Sequence, residues 1–154
     1  QKTAYEISLG LVGSEMCIRD RSITGGAISS KLISKAGSSN FFLGSIVVYN
    51  DEVKSKILNI DLNKIRKLSA VSEEISIEMA KSAKKIFKSD YCISTTGNAG
   101  PQNYDVISKT GQVYITIVTP NKIISQEFSL EEGRSKNIKN TVSFALNLLY
   151  KNLR

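Results

Sequence analysis

The 154-residue chain contains no histidine and no tryptophan. Without imidazole, Ser-His-Asp triads, histidine-ligated zinc and histidine general bases are excluded. Any catalysis has to be built from Ser, Thr, Tyr, Lys and carboxylates. Cysteine is nearly as scarce: Cys17 and Cys92 stand far apart with no metal-ligand spacing, so the chain reads as reduced and cytoplasmic, with no bound metal or cofactor expected. No apolar run approaches the ~20 residues that span a bilayer, and the N-terminus lacks the basic, apolar and small-residue regions of a secretory signal. Membrane partners are therefore not expected. Acidic residues are the minority charge, 14 against 21 basic, for a net charge of +7.

What is present suits one globular domain: 41% hydrophobic and 23% charged residues. The lysines are scattered along helical segments, and the six tyrosines and five phenylalanines belong to no RNA-binding motif. A solvated basic surface follows, or a field that attracts a small anion; nucleic acid is not an expected partner.

Along the chain, residues 1–21 show neither helical nor strand period. Residues 27–36 read as a short helix with Ile28, Leu32 and Ile33 on one face, closed by Gly37. Phe41 to Tyr49 is a nearly continuous apolar run, the pattern of a buried strand. Asp51 is placed to cap a helix through Leu58, and a second short helix covers Leu62 to Leu68. Ser72 caps the clearest helix, with Glu73 and Glu74 in its first turn and Ile75, Met79, Ala83, Ile86 and Phe87 on one face. Tyr91 to Thr95 reads as a buried strand, and residues 102–111 as a polar loop. Gln112 to Thr119 and Lys122 to Phe128 read as a hairpin around Pro120-Asn121. The last helix, from about Ser135, carries Ile138, Val142, Ala145, Leu146 and Leu149 on one stripe. Interleaved strands and helices followed by a hairpin predict an α/β fold, a three-layer α/β/α sandwich with a mixed sheet.

Two small-residue turns stand out, Ser22-Ile23-Thr24-Gly25-Gly26 and Thr95-Thr96-Gly97-Asn98-Ala99-Gly100-Pro101. Glycine lets backbone approach a ligand, and neighbouring amides and hydroxyls can point at an anion. Each is also ordinary loop chemistry when taken alone.

From Ser22 onward the chain resembles the C-terminal domain of the competence/damage-inducible CinA family, the nicotinamide-nucleotide amidohydrolases. The resemblance rests on the Ser22 to Gly26 turn, Gly37-Ser38-Ser39 and Tyr49-Asn50-Asp51-Glu52-Val53-Lys54. It continues through Val71-Ser72-Glu73-Glu74, Thr96 to Pro101, Gly111-Gln112-Val113-Tyr114-Ile115 and Arg134, in that order. It implies hydrolysis of the carboxamide of nicotinamide mononucleotide to nicotinate mononucleotide and ammonia, with a small-molecule nucleotide as substrate, no cofactor, and a homodimer. The alternative is a regulatory module of the same fold that binds a pyridine nucleotide, or serves competence, without hydrolysis.

Amide cleavage needs a nucleophile, a proton carrier and oxyanion donors. Without histidine, a serine activated by a lysine that burial makes easier to deprotonate is the economical solution. Ser39 is the nucleophile candidate, with Lys54, Tyr49 and Thr96 as its catalytic partners. Ser39 and Lys54 lie at opposite ends of one extended segment, so the turn must fold back or a second subunit contribute. Ser22, Thr24, Gly25, Gly26, Gly97, Ala99, Gly100 and Arg134 are the substrate-binding candidates. Each has a bland reading as well: turn residue, helix cap, core tyrosine or surface charge.

The resemblance fails at the front, where Arg21 occupies the place of the family's glutamate. Residues 1–21 read as adapter- or assembly-derived sequence joined to a truncated reading frame, outside a domain spanning residues 22–154. Loss of the family's first strand is expected to leave an unpaired sheet edge.

Overall fold

β-branched residues dominate the segment Gln112–Val118 (β4) and open the segment Ile123–Ser129 (β5), and a Pro-Asn turn joins them. They pair antiparallel from Val118 opposite Ile123 to Gln112 opposite Ser129. Tyr91–Gly97 (β3) lies antiparallel to β4, with Cys92 opposite Val118 and Gly97 opposite Val113. The structure, a computed structural model, describes residue 7, residues 15–19 and residues 23–153. Arg21 and Ser22 lie outside these described residues.

Met16–Arg19 (β1) runs parallel to β3 on its other side, Met16 opposite Tyr91. Phe42–Ser45 (β2) runs parallel to β1 and completes the order β2-β1-β3-β4-β5. The sheet is mixed, as the alternation of elements predicts. The expected unpaired edge is not where the sequence reading puts it: β1 is paired on both sides, so these residues fill an interior strand position. The apolar run from Phe41 also differs from expectation. Only Phe42–Ser45 pairs, as an edge strand, while Leu43, Val47 and Tyr49 are exposed and Phe41 and Val48 are buried. Apolarity alone does not distinguish a central strand from an edge strand with a single neighbour.

Ala27–Ile33 (α1) and Arg134–Lys151 (α5) cover one face of the sheet. Ile28 and Leu32 from α1 and Ala145, Leu146 and Leu149 from α5 share a core with Ile93, Ile115 and Ile117. Ile33 points outward at 56% exposure, so α1 buries a narrower stripe than its sequence suggests. Asp51–Leu58 (α2), Leu62–Leu68 (α3) and Glu73–Phe87 (α4) lie on the other face. There Leu58, Ile65, Ile75 and Met79 form a second core around Val48, and Ala83 of α4 packs on Cys92 of β3. This is the three-layer α/β/α sandwich. Full burial of one such aliphatic side chain stabilises the fold by roughly 1.5–3 kcal/mol.

The caps follow side-chain chemistry. Ser72 Oγ accepts from Ile75 N at 3.4 Å, as its position predicts. At α2 the cap is Asn50, whose Oδ1 accepts from Glu52 N at 2.7 Å; Asp51, expected as the cap, is the first helical residue. Between α4 and the sheet the contact is polar: Ser76 Oγ lies 2.8 Å from Thr116 Oγ1 and 3.1 Å from Ser94 Oγ, all fully buried. Among the described residues, no helix is long and apolar enough to cross a membrane.

Candidate functional site

β3 delivers its carboxyl end at Gly97, where a β-carbon would stand 2.7 Å from Ile23 Cδ1 and 2.8 Å from Val113 Cγ2. Only glycine fits. The chain then turns on Asn98, whose Oδ1 accepts from Gly100 N at 3.1 Å, while its own N–H donates to Gln112 O at 2.9 Å. The start of α5 fastens this turn. Arg134 Nη1 donates to Gly100 O at 3.0 Å, and the buried Asn137 Nδ2 donates to Ala99 O at 3.2 Å.

Beyond the turn opens a cleft of about 570 Å³, lined by residues 97–104 together with Ile23, Tyr49 and Arg134. The volume suits a nucleotide-sized ligand, and the carboxyl end of an interior strand is where α/β sheets present ligand sites. Tyr49 and Tyr104 are both substantially exposed at the cleft. Behind Tyr104 lies Lys54, whose Nζ is 5.7 Å from the ring centroid and 2.5 Å from Asp51 Oδ1. Lys54 is fully buried, the largest such side chain among those described, and not the solvated helix lysine of the bland reading.

The first turn approaches the same end of the sheet. Thr24 Oγ1 is 3.3 Å from Thr95 Oγ1, both buried. Gly25 and Gly26 take positive φ, and Gly26 is the N-cap of α1. That helix has only seven residues, so its dipole is short.

Three expectations need revision. Pleat alternation sends Thr95 towards α1 and Thr96 towards the start of α4, where Thr96 Oγ1 donates to Ala70 O at 2.5 Å. Thr96 is fully buried, as Lys54 is, and neither lines the cleft; Thr96 Oγ1 is in addition spent on Ala70 O. The Gly100 amide, proposed as an anion donor, is occupied by Asn98 Oδ1. Ser39 sits exposed in a 3-10 turn, Ser38–Asn40, ahead of β2. Through β1, Phe42 and Tyr91 are at the same level, so Ser39 lies at the amino end of β3. Six residue steps of ~3.3 Å place it on the order of 20 Å from Gly97 along the strands. The turn does not fold back, and within one chain Ser39 is not assembled with Lys54. Ser22 lies outside the described residues.

Sequence reasoning missed Asn137 and the Ser69–Asp105 pair that holds the loop bearing Tyr104. Asn137 was legible in one respect: with Thr141 and Ala145 it continues the buried stripe of α5 at four-residue spacing. Among the described residues no three Cys, Asp or Glu side chains converge as a metal site.

The CinA C-terminal domain family model matches residues 14–153, which takes in the residues of β1. A CinA-like protein of Flavobacterium psychrophilum is 43% identical over 132 residues, covering 86% of this chain and 32% of that protein. One from Fervidobacterium nodosum is 40% identical over 128 residues, covering 83% and 31%. The chain thus spans about a third of the length of these curated relatives. The crystal structure of a competence or damage-inducible protein from Enterobacter asburiae superposes with a TM-score of 0.94 at 25% identity, covering 99% of this chain and 97% of that one. That of a competence/damage inducible protein from Agrobacterium tumefaciens gives 0.91 at 25% identity, covering 97% and 93%. With the cleft, its glycine turns and the buried lysine in these positions, the chain belongs to the CinA C-terminal domain family.

Proposed function

We propose that the domain is a nicotinamide-nucleotide amidohydrolase that converts nicotinamide mononucleotide to nicotinate mononucleotide and ammonia. The observation that carries this reading is the buried Lys54 side chain, set behind Tyr104 of a nucleotide-sized cleft and paired with Asp51. Tyr49 and Tyr104 offer aromatic faces to a pyridine ring. Arg134 spends one guanidinium donor on Gly100 O and keeps four for a phosphate.

In the reaction a hydroxyl attacks the carboxamide carbon and gives its proton to Lys54 in its amine form, and the ammonium so formed passes that proton to the departing amide nitrogen, which leaves as ammonia. Water then repeats the sequence on the acyl intermediate and releases the acid. The position of Ser39 means that it can serve as the nucleophile only from a second copy of the chain, in keeping with the homodimer that the family resemblance implies. Incubating the protein with nicotinamide mononucleotide and measuring ammonia tests the reading. Tight binding without ammonia release would overturn it.

That outcome is the second reading, a pyridine-nucleotide-binding module without hydrolysis. It is favoured by one observation, the distance of Ser39 from the cleft within one chain.

A further inference from the structure

At the end of the sheet opposite the cleft, α4 finishes in Lys81, Lys84, Lys85 and Lys88. Offsets of three and four put Lys81, Lys84 and Lys85 on one helical stripe, and Lys88 follows as the C-cap in left-handed backbone. Like charges so spaced repel one another, and only their place at the carboxyl end of the helix offsets this in part. Lys84 is engaged structurally, its Nζ donating to Thr119 O at 3.0 Å and tying the helix end to the β4–β5 turn. The turn adds Lys122 to the group. Lys81, Lys85, Lys88 and Lys122 are exposed and have no ion pair or hydrogen bond from their side chains among the described residues.

Between helix end and turn lies a groove of about 660 Å³ with no carboxylate in its lining. Asp90, the acid nearest in sequence, turns to the Glu15 amide, with Oδ2 3.2 Å from its nitrogen. The floor is apolar, made by Val118, Pro120 and Ile123, with the Asn121 amide at its edge.

We propose that this groove binds a nucleoside di- or triphosphate, with the phosphates among the four free ammonium groups and the nucleoside over the apolar floor. Four cations are matched by the roughly three to four negative charges of a di- or triphosphate and only about half matched by the roughly two of a monophosphate, which favours the former. The volume matches one nucleotide. No aromatic side chain lines the groove, so it lacks the stacking platform of a single-strand binder. Val118 lies at the opposite end of β4 from Val113, the partner of Gly97, which makes this site separate from the cleft and independent of the amidohydrolase reading.

Calorimetric titration of the whole chain with ATP, AMP, adenosine and inorganic tripolyphosphate tests the proposal, with Lys85→Glu/Lys88→Glu, Lys85→Ala/Lys88→Ala and Arg134→Ala as variants. The expected result is saturable binding of one ATP per chain, at least about tenfold tighter than AMP or tripolyphosphate. Both lysine variants should weaken ATP at unchanged melting temperature, the glutamates more than the alanines, and Arg134→Ala should not. Failure of ATP to saturate in the millimolar range, or tripolyphosphate binding as tightly as ATP, would overturn the proposal. So would ATP affinity that follows Arg134 and not the lysines, or a DNA oligonucleotide that displaces ATP from this groove.

Discussion

Ser69 Oγ donates to Asp105 Oδ2 at 2.5 Å, across 36 positions of sequence. The bond fastens the loop that carries Tyr104 to the segment preceding α4. Ser69 itself takes positive φ, and its hydroxyl also accepts from Val71 N at 3.0 Å. On the loop side, Asp105 Oδ1 accepts from Ser108 N at 2.6 Å and Ile107 N at 3.0 Å. One carboxylate thereby organises the wall of the cleft.

Burial opposes ionisation of Asp105, but the Ser69 hydroxyl and the Ser108 and Ile107 amides outweigh it and hold the carboxyl below its ordinary 3.8. A carboxyl depressed in the folded state contributes stability above its unfolded value, and that contribution is lost as pH falls through the folded value. Asp105→Asn should therefore flatten the acid limb of the stability profile below about pH 4. It should also raise KM for nicotinamide mononucleotide more than it lowers kcat. Melting curves against pH for both proteins check the first statement; an unchanged acid limb refutes it.

Lys54→Met removes the ammonium while retaining most of the buried volume. If Lys54 carries the proton, ammonia release falls by about 100-fold or more. Nucleotide binding should change far less, because Arg134 and the turn at residues 97–101 remain. Ammonia assays beside calorimetric binding separate the two effects, and near-normal turnover would return Lys54 to a structural role.

Ser39→Ala addresses the nucleophile. Ser39 is exposed and distant from the cleft of its own chain, so its removal should leave melting temperature unchanged and abolish turnover only through a partner. Mixing inactive Ser39→Ala with inactive Lys54→Met, followed by subunit exchange, should then restore ammonia release. Full activity in Ser39→Ala alone excludes the assignment and directs attention to Ser22.

Asn137→Leu tests the fastening of the second turn. Its Nδ2 donates to Ala99 O at 3.2 Å and Leu130 O at 3.4 Å, and its Oδ1 accepts from Glu132 N at 3.2 Å. Leucine leaves buried carbonyls unpaired, at a cost of about 1–3 kcal/mol. Chemical denaturation measures it, and a loss below about 0.5 kcal/mol, the range of ordinary surface substitutions, would show that other groups hold the turn.

Gly111→Ala should be more damaging still. Gly111 has φ +80°, and a β-carbon there would lie 1.8 Å from Leu130 O. The same backbone donates to Asn98 O at 2.7 Å and accepts from Leu130 N at 2.9 Å, so relief of the clash moves the cleft. Destabilisation of about 3 kcal/mol or more is expected, read from the denaturation midpoint. A variant as stable as the parent would disprove this packing.

Local chemistry made much of the fold legible. Ser72 had to cap a helix because a hydroxyl followed by two acids and an apolar stripe satisfies that terminus whatever lies around it. The hairpin of β4 and β5 followed from alternating β-branched residues about a Pro-Asn turn. The absence of histidine limited the chemistry before any coordinate was known. Gly97, Gly100 and Gly111 marked where backbone would pass close to something, though not what that something was. Tertiary packing decided the rest. Lys54 looks like any helix lysine in sequence, but in the fold it is fully buried, with the ring of Tyr104, fifty residues on, 5.7 Å from its Nζ. The extended segment between Ser39 and Lys54 already separates them in sequence. The parallel register of β2 and β3 on either side of β1 decides that the turn does not fold back and that Ser39 stays at the opposite end of the sheet. Lysines that seemed scattered become a cluster where α4 meets the β4–β5 turn. These outcomes depend on contacts between residues distant in the chain, whereas caps, turns and periods depend on neighbours, and only the latter are written locally in the sequence.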